Sequence, residues 1–190
     1  MTLASFDWII VVDEAAALEA AEPPAGETVL GLEVPESYRA FLGRFGYGLF
    51  GGLLHLFPWS PGHCDHLPRR AAGLREMFRE TLALDIAELD PDGTPEALLS
   101  CVPFGISING DTICWSPTFR VAGEPEVVVV SSKVLAYKRT GRDFGAFLRS
   151  LTEPAGARVL MGPAAQPLPP TFVPSTYLSA WRRTRHLGGA

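Results

Sequence analysis

Cysteine is scarce: Cys64, Cys101 and Cys114 are the three in 190 residues, at unrelated spacings. That rules against a disulfide framework and fits reduced thiols in a cytoplasmic protein. Lysine and arginine are missing altogether from residues 1–38, which carry eight Asp or Glu. Residues 39–152 balance twelve charges of each sign, residues 153–190 carry a surplus of three positive ones, and the net charge is −5. This distribution argues against nucleic acid as a partner and is compatible with a basic one. The N-terminus has no basic stretch and Asp7 interrupts its early apolar run, so no signal peptide is expected. A long hydrophobic span is lacking too. The uncharged run from Phe45 to Cys64 holds five glycines, two prolines and two histidines, which is a pattern of strands and turns and not of a membrane span. No internal repeat is visible.

What is present suffices for one core. A hydrophobic share of 47% with 19% charged residues argues against disorder, and the length suits one domain with an appendage. The organising stretch is Pro103 to Trp115, PFGISINGDTICW. Apolar residues alternate with small or polar ones on both sides of Asn109-Gly110, the preferred pair where both central turn residues need positive φ. A two-residue loop there pairs 108 with 111, 106 with 113 and 104 with 115. Phe104, Ile106, Ile113 and Trp115 then share a core face, and Gly105, Ser107, Thr112 and Cys114 share a face that tolerates water.

Helical spacing marks three further elements. Pro35 leads Tyr38, Phe41, Leu42 and Phe45 toward a stop at Gly46. Leu67, Ala71, Leu74, Phe78 and Leu82 trace one face of a helix over 68–84, with Arg69, Arg70, Arg75 and Arg79 on its other sides. Asp143 caps a helix bearing Phe144, Phe147, Leu148 and Leu151. Asp13 is placed to cap an Ala-rich helix that Pro23-Pro24 stops. Phe6 to Val12 reads as an edge strand or a lead-in to that helix, and residues 48–57 as two adjoining strands. The four valines 127–130 fit a strand buried on both faces. From Pro154 the composition shifts to six prolines by residue 174 and then YLSAWRRTRH, which predicts an irregular tail with one short helix near its end. That tail is expected not to be needed for the core, but the rings of Phe172, Tyr177 and Trp181 place it on the body of the domain, its arginines near the acidic N-terminal third. The expected fold is α+β: a single mostly antiparallel sheet with helices packed on it and the 104–115 hairpin central.

Three pieces taken together resemble the SUKH superfamily. LEVPESYRAFLGRFGYG is similar to its opening helix-and-glycine motif, VPFGISINGDTICW to its central hairpin, and RDFGAFLRSLTE to its closing helix. The order and spacing agree over about residues 13–152. The resemblance implies a domain over 1–152 followed by a Pro-rich tail over 153–190, with a helical insertion at 66–97 as a departure from the family pattern. It also implies no catalytic residues and no cofactor. Bacterial members of the family are often immunity proteins that bind and block a cognate toxin, commonly a nuclease. Others are regulatory or scaffolding proteins acting through protein contacts.

The chemistry-bearing residues are weighed against that expectation. His63-Cys64-Asp65-His66, with His55 upstream, carries zinc-competent side chains. Adjacent ligands in a four-residue loop rarely converge on one ion, and no second ligand pair follows, so the cluster reads as a polar surface loop and no metal is expected. No Ser, His and acid show a hydrolase signature, and the glycines at 46–52 open no helix and precede no Lys-Ser/Thr. The expected partner is therefore a protein, the cognate toxin, with neither nucleic acid nor membrane; oligomeric state is left open. Two acidic stretches offer a binding face: Glu27, Glu33 and Glu36, and the loop with Asp85, Glu88, Asp90, Asp92 and Glu96. The second joins a helix to the central hairpin and is favoured, since loops held on a scaffold commonly carry binding. Trp59 and His63, in another loop, add an aromatic anchor.

Overall fold

A computed structural model of the chain describes residues 5–12, 22–162 and 164–174. Ten strands and five helices follow in the order β1 (Ile10–Val11), β2 (Thr28–Val29), β3 (Leu32–Glu33), α1 (Glu36–Phe45), β4 (Gly48–Phe50), β5 (Leu54–Leu56), α2 (Leu67–Ala83), α3 (Pro95–Ser100), β6 (Val102–Ser107), β7 (Thr112–Val121), β8 (Glu124–Val130), β9 (Tyr137–Arg139), α4 (Phe144–Leu151), α5 (Pro154–Met161) and β10 (Thr171–Pro174). Eight strands make one sheet in the order β1-β10-β4-β5-β6-β7-β8-β9, while β2 and β3 form a separate two-stranded ribbon. Every pairing in the large sheet is antiparallel except β1 with β10. The molecule is an α+β domain of the expected kind, with the 102–121 hairpin near the middle of the sheet and α1, α2 and α4 at their expected places.

The hairpin register differs from the expected one. Ser107 closes the turn on Asp111 (N–H to carbonyl, 2.8 Å), leaving three residues between them, and Gly105 pairs with Ile113 and Ile106 with Thr112. The single amide of Gly110 bonds the Ser107 carbonyl at 2.9 Å, and Asp111 takes the Ser107 hydroxyl at 2.8 Å, so side-chain bonding selects the longer turn. A bulge between Pro103 and Gly105 then brings Phe104 back over Trp115, ring centroids 4.4 Å apart and nearly parallel. Phe104, Ile113 and Trp115 thus share the core face after all, and Ile106, paired with Thr112, is half-buried against the same core.

The opposite face is not wet. Val127 and Val129 enter a core with Tyr38, Phe41, Trp115, Phe144 and Phe147, while Val128 and Val130 enter a second one with Phe78, Leu98, Cys101, Cys114 and Tyr137. Helices α1 and α4 supply the first cluster. Helix α2 straddles both, giving Leu67, Ala71 and Leu74 to the first and Phe78 to the second. The segment 66–97 is what covers the face expected to meet water.

The stretch after Pro154 also departs from expectation. Residues 154–161 are helical, and 171–174 form a strand inserted between β1 and β4, with Phe172 fully buried against Phe41 and Phe45 at 5.6 and 5.3 Å. Gly48 makes that insertion possible: a Cβ there would lie 2.4 Å from the Val173 carbonyl oxygen. Composition hides this strand because prolines crowd it: Pro169 and Pro170 precede it and Pro174 ends it, at positions where a strand tolerates proline. The expected helix after Asp13, the positions of Tyr177 and Trp181 and those of the tail arginines lie outside the described residues.

Candidate functional site

The favoured acidic loop begins where α2 ends. Asp85 takes φ 55°, a left-handed conformation that turns the chain off the helix axis. The loop then runs along β9, the last strand of the sheet. The Glu88 amide donates to the Val134 carbonyl at 2.9 Å, the Tyr137 amide to Asp90 at 3.3 Å and the Asp92 amide to Tyr137 at 3.2 Å. The Asp92 carboxylate accepts the Arg139 amide at 2.9 Å. An open sheet edge is a template for unwanted pairing, and this loop covers it. Gly93 is required by the fit, since a Cβ there would meet the Tyr137 Cβ at 2.6 Å. Thr94 then caps α3, its hydroxyl oxygen accepting the Ala97 amide at 3.1 Å.

All five predicted acids are exposed. The side chains of Asp85, Glu88 and Asp90 make no hydrogen bond or ion pair among the described residues. Asp92 is spent on the Arg139 backbone. Glu96, in the first turn of α3, has its pKa lowered by the hydrogen bond from its own amide and by Thr94. Behind the loop, Arg139 makes a forked bond to buried Glu126 (3.1 and 2.7 Å) and lies over the Phe119 ring at 3.6 Å. The Glu126 contact raises the guanidinium pKa, and the pair leaves Arg139 committed to the sheet.

Sequence reasoning missed the apolar half of this surface. Leu84 and Ile86, 68% and 57% exposed, flank Asp85. Leu135 is exposed as well, one residue past the carbonyl that Glu88 bonds. The signal was present: two large aliphatics around an acid, just beyond the last residue of the amphipathic face of α2. Exposed aliphatics among unpaired carboxylates are what a protein-binding surface needs, an apolar centre with a charged surround.

Trp59 and His63 are not part of that surface. They precede α2 and the acidic loop follows it, so a 17-residue helix, about 25 Å long, separates the two. His63 is buried at 4% exposure, its ring against Tyr47 (4.3 Å) and its Nδ1 accepting the Asp65 amide at 3.0 Å. Trp59 is half-buried, edge-on to His66. The Tyr47 hydroxyl donates to Asp65 Oδ2 at 2.7 Å and Arg70 pairs with Asp65 Oδ1 at 3.2 Å. Burial lowers the pKa of His55, with the Asp65 carboxylate opposing, and of His66, with the Arg69 charge adding to it. Among the alternative acids, Glu27, Glu33 and Glu36 are exposed around the small ribbon and the start of α1.

Comparison with known protein families, with curated proteins and with solved structures finds no match for the chain. Among the described residues no helix is long and apolar enough to cross a membrane.

Proposed function

We propose that this chain is a non-enzymatic protein-binding module of the SUKH type, a cytoplasmic immunity protein that binds and neutralises a cognate toxin. The observation that carries the reading is the 84–92 surface: unpaired Asp85, Glu88 and Asp90 beside exposed Leu84 and Ile86, on a loop fixed to the sheet edge by backbone hydrogen bonds. A toxin acting on nucleic acid carries a basic cleft, because its substrate is polyanionic. Carboxylates held on a rigid frame attract that cleft and speed encounter, and the aliphatics between them add desolvated contact once the two surfaces meet. The order of the three motifs in the sequence supports the family; the surface supports the partner's charge.

The test is pull-down with a secreted, toxin-ended chain encoded beside this one, followed by association kinetics at low and high salt for the Glu88→Lys, Asp90→Lys, Asp92→Lys triple variant. The expected result is association slowed by about tenfold or more at low salt, with most of the difference gone at high salt. Capture of the toxin with unchanged kinetics places binding on another face. Failure to capture it returns the chain to the regulatory or scaffolding role.

A further inference from the structure

The polar corner ahead of α2 is independent of the proposed binding surface and has a chemistry of its own. Adjacent side chains in a short turn normally point apart, yet here the donor atoms of His63, Cys64 and Asp65 all lie within 4.8 Å of one another. We propose that this turn is a binding site for a borderline divalent metal ion, with Zn(II) the biological representative, held by His63, Cys64 and Asp65.

Zinc bonds nitrogen and oxygen at about 2.1 Å and thiolate sulfur at about 2.3 Å, which sets tetrahedral ligand atoms about 3.5 Å apart. With the donor atoms within 4.8 Å of one another, reaching that spacing takes a shift of about 1 Å, shared between the exposed Cys64 thiol and the release of the Asp65 amide from His63 Nδ1. Cys64 is exposed and its thiol is free to rotate, whereas the other two ligands are set from behind. Tyr47 sets both: its hydroxyl donates to Asp65 Oδ2 at 2.7 Å, and its ring packs on the His63 ring at 4.3 Å. Such outer contacts orient ligands and raise metal affinity.

The lone-pair accounting permits an ion. Asp65 accepts one hydrogen bond from Tyr47 and is ion-paired with Arg70, and a carboxylate offers about four acceptor directions. His63 takes the Asp65 amide on Nδ1, so its ring lone pair already faces the turn that carries the other two ligands, and the ion displaces that amide. Cys64 gives up its thiol proton to solvent on binding. Thiolate and carboxylate together neutralise the ion, leaving Arg70 to face an Asp65 whose charge is shared. The mixed nitrogen, sulfur and oxygen set selects against the hard ions Mg(II) and Ca(II), which prefer oxygen alone. A further imidazole stands close by. His55 also stacks on Tyr47 (6.2 Å, 26° between planes), and its Nδ1 is buried with no hydrogen-bond partner among the described residues.

The test uses the full-length, metal-free, reduced chain titrated with Co(II), reading the thiolate-to-cobalt charge-transfer absorption, followed by displacement with Zn(II). One equivalent with a charge-transfer band is expected. Cys64→Ser, at an exposed position where the fold tolerates it, should lose the band while keeping the far-UV circular dichroism spectrum. Tyr47→Phe should keep the band but bind Co(II) about tenfold or more weakly. The proposal is overturned if no band forms at excess Co(II), if the band survives Cys64→Ser, or if Asp65→Asn binds as tightly as the unmodified chain.

Discussion

Glu124 caps the helix that begins at Ser37's turn, from 87 residues away. One carboxylate oxygen accepts the Ser37 amide at 2.8 Å and the other takes the Ser37 hydroxyl. The residue at the cap position itself, Pro35, has no side-chain acceptor to offer. A cap normally comes from the preceding residue and satisfies an amide that has no partner inside the helix. Here the β7–β8 hairpin supplies it, and its negative charge sits favourably at the positive end of α1. Glu124→Ala should therefore cost about 1 kcal/mol despite its distance in sequence, read as a lower urea midpoint with an unchanged m-value. An unchanged midpoint would show the contact to be dispensable.

Trp115 is the largest fully buried ring, stacked on Phe104 and edge-on to Tyr38 at 4.9 Å. Trp115→Ala should cost about 3–5 kcal/mol, a large share of the roughly 5–15 kcal/mol that holds an ordinary domain folded and enough to threaten a marginally stable one. Chemical denaturation of the variant is the measurement. A change within about 0.5 kcal/mol would mean the ring is a surface contact instead.

Removal of residues 153–190 should destabilise the chain severely, and Phe172→Ala alone should account for about 3–5 kcal/mol of that loss. The ring fills space between Phe41 and Phe45 and its backbone joins β1 to β4. A truncated chain with the full-length melting temperature would show that the inserted strand contributes nothing.

A histidine dependence of stability follows from burial. The His55 pKa is lowered by desolvation, with Asp65 opposing. Its unfolded value is about 6.5. Protonation is disfavoured in the fold, so this contribution to stability is complete above that value and is lost as pH falls through it toward the folded value. Urea midpoints of the metal-free chain between pH 7.5 and pH 5 should fall, and His55→Gln should flatten part of the slope. Parallel curves for the two proteins would count against it.

The sequence was most legible where periodicity and burial coincide. The stripes at Tyr38–Phe45, Leu67–Phe78 and Phe144–Leu151 locate their helices, and four valines show a strand with two dry faces, because each pattern is dictated locally. Register was less legible. Asn109-Gly110 fits a two-residue turn, but Ser107 and Asp111 bond each other across a three-residue one, and propensity alone does not weigh side-chain bonds against turn type. Non-local pairing was least legible: nothing near Phe172 indicates that its partners are residues 11 and 50. In the candidate surface the acids could be read from composition, whereas the exposure of Leu84 and Ile86 depends on where α2 stops.

The insertion of β10 carries a consequence for biosynthesis. In the large sheet β1 lies at the edge and pairs with β10 alone, so residues 10–11 find their neighbours only at residues 171–172. Residues 10–11 must wait while the whole of the central hairpin and its helices are made. Until residue 174 emerges, the flank of β4 that Phe172 will cover stands open, with Phe41 and Phe45 behind it. A chain that has not yet made residues 171–174 therefore presents an unpaired flank of β4 to its neighbours.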